Sequence, residues 1–121
     1  MVLNNRNFKM VQASVDALWL KQRVISNNIA NIDTPNFKAS EVSFRHVLNH
    51  KTNEQGEREV SKVQINITQN DDVSLRLDGN NVDLEKEQLA LWETFAHYSF
   101  LTQNMSRSIS NLRYVINNTG R

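Results

Sequence analysis

His46 and His50 stand four residues apart. On a helix that spacing places both imidazoles on one face, the arrangement of a two-histidine metal pair. Glu54, four residues further on, is the nearest third ligand, but it falls in a run of charged residues that reads as a loop. Short matches of this kind are weak, and solvent-exposed histidines explain the pair better than a metal does. His97, beside Tyr98, reads as a helix-surface or seam-edge residue rather than a catalytic base. Asp71 and Asp72 are adjacent carboxylates next to Asn70. Turn chemistry accounts for them, and they miss the alternate-position spacing of a calcium loop. No serine lies in a Gly-x-Ser-x-Gly elbow, and three glycines build no phosphate loop. The absence of cysteine excludes disulfides, thiolate metal sites and cysteine nucleophiles. The expectation is a protein that is not an enzyme and takes no cofactor.

What positions these residues is a chain of 121, suited to one domain or to a helical hairpin with an inserted middle. Apolar residues make up 39% and aromatics 7%, too few for a large globular core. They concentrate at the two ends, as a narrow seam would require. The net charge is +1 with both signs interspersed, so no clustered basic face speaks for nucleic acid. No run of about 18 apolar residues suggests a membrane span. Met1 to Met10 lacks the basic-then-apolar order of a cleavable Sec-type signal.

From Phe8 the apolar positions alternate spacings of three and four: Phe8, Val11, Val15, Leu18, Gln22, Ile25, Ile29 and Ile32. This is a heptad seam with one polar member, Gln22. Trp19 lies off it. The helix must stop within the stretch Ser26 to Lys38, because Pro35 has no N–H and forces Thr34 into an extended conformation. Asn36 follows at a position where a turn often needs positive φ, and Phe37 offers a ring to pack back on the helix end. Residues 49 to 60 read as a mobile loop. Val42, Phe44, Val47 and Leu48 fit either a turn of helix or a strand. Val63, Ile65 and Ile67 alternate with polar residues, and Val73, Leu75 and Leu77 do so again, which suggests two strands joined by a turn at 69 to 72. Such a hairpin alone is marginal in water.

Asp83 suits an N-cap, with Glu85 and Glu87 in the first turn. A second seam then runs through Leu84, Gln88, Leu91, Phe95, Tyr98, Thr102, Met105, Ile109, Leu112 and Ile116, roughly 50 Å of helix at the usual rise, with Gly120 as a stop. Leu89, Trp92 and Ala96 form a second stripe beside it. A helix apolar on more than one side wants more than one neighbour. The predicted fold is mainly α: two long terminal helices in a coiled-coil hairpin, around a weakly ordered middle carrying at most a small β-hairpin. Its parts are an N-terminal helix and turn (1–38), a variable, partly disordered middle (39–82) and a C-terminal helix (83–121).

Residues Asn27 to Lys38, NNIANIDTPNFK, resemble the NNIAN-x-x-TPGYK signature of the flagellar rod and hook family of axial proteins. The chain departs from it at Asn36 for Gly and Phe37 for Tyr. Asn keeps access to a left-handed turn, and Phe keeps the ring without the hydroxyl. Gly79 to Glu87, GNNVDLEKE, is similar to the element that precedes the family's C-terminal helix. The tail from Tyr98 to Ile116, with Leu101-Thr102-Gln103 and Ser110-Asn111-Leu112-Arg113, is similar to a short proximal-rod member. The resemblance covers both helices and little of 42–77.

It implies a structural subunit of the proximal rod of the flagellar basal body, in the periplasm, that transmits torque and lines the export channel. It implies passage through the flagellar type III export apparatus, which agrees with the missing Sec-type signal. The implied partners are copies of itself, other rod proteins and the adaptor between rod and membrane ring. The partner-binding residues expected on the two seams are Val11, Val15, Leu18, Ile25 and Ile29, and Leu91, Phe95, Tyr98, Met105, Ile109 and Leu112. Asn28, Asn31, Thr34, Pro35 and Phe37 form the signature turn. The competing reading is a soluble helical-hairpin adaptor or chaperone. It would share the heptads but have no use for Thr34-Pro35.

Overall fold

Both heptad stretches are helical in the computed structural model, which describes residues 6–47, 62–71, 73–74 and 76–119. Helix α1 spans Arg6–Ala30. Strands β1 (Ser40–Val47) and β2 (Lys62–Gln69) follow, and helix α2 spans Leu84–Asn118. At the usual rise α1 is about 37 Å long and α2 about 52 Å. Asp83 is the N-cap of α2: its carboxylate accepts from the N–H groups of Glu85 and Lys86. That satisfies two of the donors a helix start leaves unpaired. The helix closes at Thr119, whose N–H reaches Val115 O; Gly120 lies outside the described residues.

The helices run antiparallel, with position 28 of α1 opposite position 87 of α2. Extending that pairing sets Arg6 level with Ile109, so the last turns of α2 reach past the described start of α1. There Tyr114, Val115 and Ile116 are exposed.

The small hairpin expected in the middle is present, but built from other strands. β2 covers Val63, Ile65 and Ile67 as expected, and its partner is β1, antiparallel, with Val42 opposite Ile67 and Phe44 opposite Ile65. Val73 and Leu77 form no strand and are exposed. The reason is burial. Val42 and Phe44 offer β2 a shared apolar face that docks on α1, and Val42 is buried there. A strand at 73–77 would have no such cover. Of the two readings left open for Val42, Phe44, Val47 and Leu48, the strand is the one adopted through Val47; Leu48 lies outside the described residues. Glu54, His50, Asp72 and the 49–60 loop lie outside the described residues, as does the His46 side chain. Among the described residues no three His, Asp or Glu side chains converge as a metal site would require. No described helix is long and apolar enough to cross a membrane.

Candidate functional site

The signature turn is the centre of a polar clasp that ties α1, β1 and the start of α2 together. Asn28 is fully buried on the inner face of α1. Its Nδ2 donates to Ser40 O at 2.8 Å and to Glu87 Oε1 at 3.1 Å, and its Oδ1 accepts from Ser40 N at 2.9 Å. The side-chain amide thus offers Ser40 a donor and an acceptor, as a neighbouring strand would. Asn28 occupies the free edge where β1 begins.

Beyond Ala30 the backbone tightens. Ile32 N bonds Ile29 O and Thr34 N bonds Asn31 O, three residues back in each case, as helix ends commonly do. Asn31 Nδ2 folds back on Asn27 O at 2.8 Å, and Thr34 Oγ1 donates to Asn31 Oδ1 at 3.1 Å. Thr34-Pro35-Asn36-Phe37 is a β-turn closed by Phe37 N to Thr34 O at 3.3 Å. Pro35 supplies the fixed φ of its second position, and Asn36 the positive φ (60°) of its third. The substitution of Asn for the glycine of the family signature is therefore accommodated by a left-handed residue.

The second half of the clasp comes from residues 74 to 83. Asn80 is fully buried. Its Nδ2 donates to Asn31 O and Thr34 O, both at 2.8 Å, and its Oδ1 accepts from Val82 N at 2.8 Å. Arg76 Nη1 adds a bond to Ile32 O at 2.8 Å while Nη2 pairs with Asp78 Oδ2 at 3.0 Å. Helix α1 carries no basic residue in its own last turn, so the cation that suits its C-terminal dipole arrives from 44 positions away. Asn81 Oδ1 accepts from Ala39 N, and its Nδ2 donates to Asn70 O. Gly79 lies at φ 78°, and a Cβ there would stand 2.6 Å from Asn36 Oδ1. Any other residue would have to displace the Asn36 side chain and adopt the left-handed φ that glycine takes freely. Lys38 Nζ closes over the two turns onto Gly79 O at 3.0 Å.

Glu87 is the titratable member. Burial lifts its carboxyl above the ordinary 4.5, against the opposing pull of the Asn28 amide and Lys86, while Glu41 and Asp83 add to the rise. A carboxyl whose folded value is raised holds its proton more tightly when folded, so ionisation costs stability. That cost is absent below 4.5 and accrues as pH rises through the folded value. Glu87→Gln keeps an acceptor for Asn28 and removes the charge. The stability of the wild-type chain relative to the variant is expected to rise as pH falls from neutral towards 4.5, read from urea midpoints. Parallel curves would contradict the assignment.

Around the clasp the seams divide. On α1, Leu18 and Ile25 are buried, Val11, Val15 and Ile29 half-buried, and Gln22 exposed. The inner face runs through Ala17, Leu18, Ile25 and Asn28. On α2, Leu91, Met105 and Leu112 are half-buried with the buried Thr94 between them, and Tyr98 lies at the margin. Phe95 is 62% exposed, and Ile109 is exposed. The expected partner-binding residues are thus not on one surface. Leu18, Ile25, Leu91 and Met105 face the hairpin interior, while Phe95 lies towards a second edge that carries exposed Trp92 and Leu89. Ile109 and Ile116 are in line with Leu91 and Tyr98, about five turns on, and are exposed where α2 reaches and passes the described start of α1. Pro35 and Thr34 are exposed; Phe37 is half-buried.

The family model of flagella basal body rod proteins matches residues 17–38, the second half of α1 and the signature turn. The flagellar basal body rod protein FlgB of Bacillus subtilis (strain 168) is 34% identical over 106 residues, covering 80% of this chain and 82% of that protein. The chain belongs to the FlgB family of flagellar basal body rod proteins. The FlgB of Borrelia hermsii is 33% identical over 120 residues, with 84% and 89% covered. The FlgB of Escherichia coli (strain K12) is 25% identical over 114 residues, with 79% and 82% covered. As a FlgB-family member the chain is a structural component of the flagellar basal body rod.

Local sequence reading misses the capping roles of Asn80 and Arg76, although the similarity of residues 79–87 to a family element marks the block that contains Asn80.

Proposed function

We propose that this chain is a proximal-rod subunit that joins copies of itself and other rod proteins through its terminal helices, in the periplasmic part of the basal body. It transmits torque and contributes to the wall of the export channel; the rod-to-ring adaptor and the type III export apparatus are its further partners. One observation carries the reading. Helix α2 spends one edge of its apolar stripe on α1 and leaves the other edge, with Trp92 69% and Phe95 62% exposed, for neighbours. Patches of this kind mark association surfaces. Family membership identifies the assembly.

The test separates folding from assembly. Phe95→Asp changes an exposed position, so the free chain is expected to keep its helicity. In a strain lacking the native gene the variant is expected to be missing from purified hook–basal bodies and to leave cells non-motile. Normal swimming, with the variant present in basal bodies, would refute the assignment of this edge.

A further inference from the structure

The exposed edges of the two helices match each other in position and charge. On α1 the residues directed away from α2 include Trp19, Arg23 and Ser26, each offset by two positions from Ala17, Lys21, Ile25 or Asn28 on the inner side. On α2 the corresponding residues are Leu89, Trp92 and Ala96. Trp19 is 56% exposed and Leu89 60%. Between α1 and the overhanging edge of β2 lies an open trough of about 540 Å³, lined by Trp19, Arg23, Val24, Ser26 and Ile67. Ile67 is itself exposed.

The charges are complementary. Among the described residues Arg23 is the only charged one lining the trough. Its guanidinium lies over the Trp19 ring, 5.0 Å from the centroid, and it makes no ion pair among the described residues. Glu93, exposed beside Trp92, likewise makes none. The internal register supplies the remaining match. With position 28 opposite 87, Arg23 stands level with Trp92 and Glu93, and Trp19 level with Ala96. A second molecule rotated about an axis parallel to the helices, without sliding along it, presents Glu93 at the height of Arg23 and a small residue at the height of Trp19.

We propose that the α1 trough receives the outer face of α2 from a second copy of this chain, with Arg23 pairing to Glu93 and Leu89 and Trp92 entering beside Ile67. The contact rests on the self-assembly reading above and gives it a specific interface. It is heterologous: the two surfaces differ, so repetition by rotation alone closes a ring, and a small added slide along the axis at each step turns the ring into a helix.

Charge reversal on the full chain tests it. Arg23→Glu and Glu93→Arg each set like charges opposite one another and are expected to weaken self-association about tenfold, by sedimentation velocity. An equimolar mixture of the two variants alternates native and reversed pairs, so association is expected to recover. The double variant R23E/E93R is expected to recover alone. Both positions are exposed, and circular dichroism verifies that each variant keeps wild-type helicity. If a reversal disturbs the fold, Arg23→Gln and Glu93→Gln replace it, and their effects must be non-additive in the double variant. Failure of the mixture to recover, additive effects, or a wild-type chain that stays monomeric at millimolar concentration would overturn this interface. Presence of the wild-type chain in basal bodies is scored separately. If it is present while the reversals fail to rescue each other, only the interface falls; if it is absent, the underlying reading falls.

Discussion

Asn28→Ala is expected to lower the unfolding free energy of the chain by about 2–4 kcal/mol, because it leaves the half-buried N–H and C=O of Ser40 without their partner and removes a donor from Glu87. The side chain is fully buried and makes all three bonds at 2.8 to 3.1 Å. The loss has a location. Hydrogen exchange should accelerate first at the start of β1, where the Ser40 N–H loses the Asn28 acceptor. Asn28→Asp sharpens the test. It keeps the acceptor for Ser40 N but turns the donor into a carboxylate oxygen facing Ser40 O and the Glu87 carboxylate. At neutral pH it should cost more than Asn28→Ala, since a buried unpaired charge is worse than a missing group. Part of that cost should return on acidification as a carboxyl is protonated. A wild-type urea midpoint in Asn28→Ala would refute the structural role of this residue.

The second large effect is expected at Asn80. Its amide bonds Asn31 O, Thr34 O and Val82 N, all at 2.8 Å, from a fully buried position. Asn80→Ala leaves two carbonyls at the end of α1 and one N–H before α2 without these partners. A loss of about 2–4 kcal/mol follows on the same grounds. The exchange pattern differs from that of Asn28→Ala. Here the end of α1 and the Thr34–Phe37 turn should open while β1 keeps its protection. Identical exchange maps for the two variants would mean that the clasp is one undivided unit rather than two joined halves.

Features governed by neighbours in sequence are legible without the structure. The N-cap at Asp83 sits next to the donors it satisfies, and the turn at Pro35-Asn36 is dictated by two adjacent residues. The existence of both helices follows from their spacing. Features settled by distant partners are not. Asn80 reads as a turn residue, because the carbonyls it caps belong to residues 46 and 49 positions earlier. Arg76 reads as a polar residue in a failed strand for the same reason. The pairing of β2 with β1 rather than with 73–77 depends on which segment α1 can cover. The seams show a subtler limit. Heptad spacing identifies an apolar stripe but not which edge a single neighbour takes. Leu91 and Met105 belong to the edge chosen by α1; Phe95 does not, and Ile109, in line with Leu91, is exposed because it stands level with the start of α1. A stripe wider than one neighbour can cover is itself the sign that the hairpin is not the final packing state, and that sign was readable in the Leu89, Trp92 and Ala96 positions.

The clasp also orders events in time. Asn28 finds Glu87 59 positions later, and Asn31 finds Asn80 49 positions later. A chain made from its N-terminus completes α1 well before any residue that can lock it. Closing so long a loop carries an entropic cost that the contacts repay only once both ends meet, and contacts of such separation form slowly. Helix α1 alone has neither acidic residues in its first turn nor basic residues in its last, and helices in proteins draw most of their stability from tertiary packing. Helix α1 is therefore expected to gain its full packing only once residue 87 is in reach. Handled end-first, the chain behaves as a soft thread; released whole, it becomes a fixed strut.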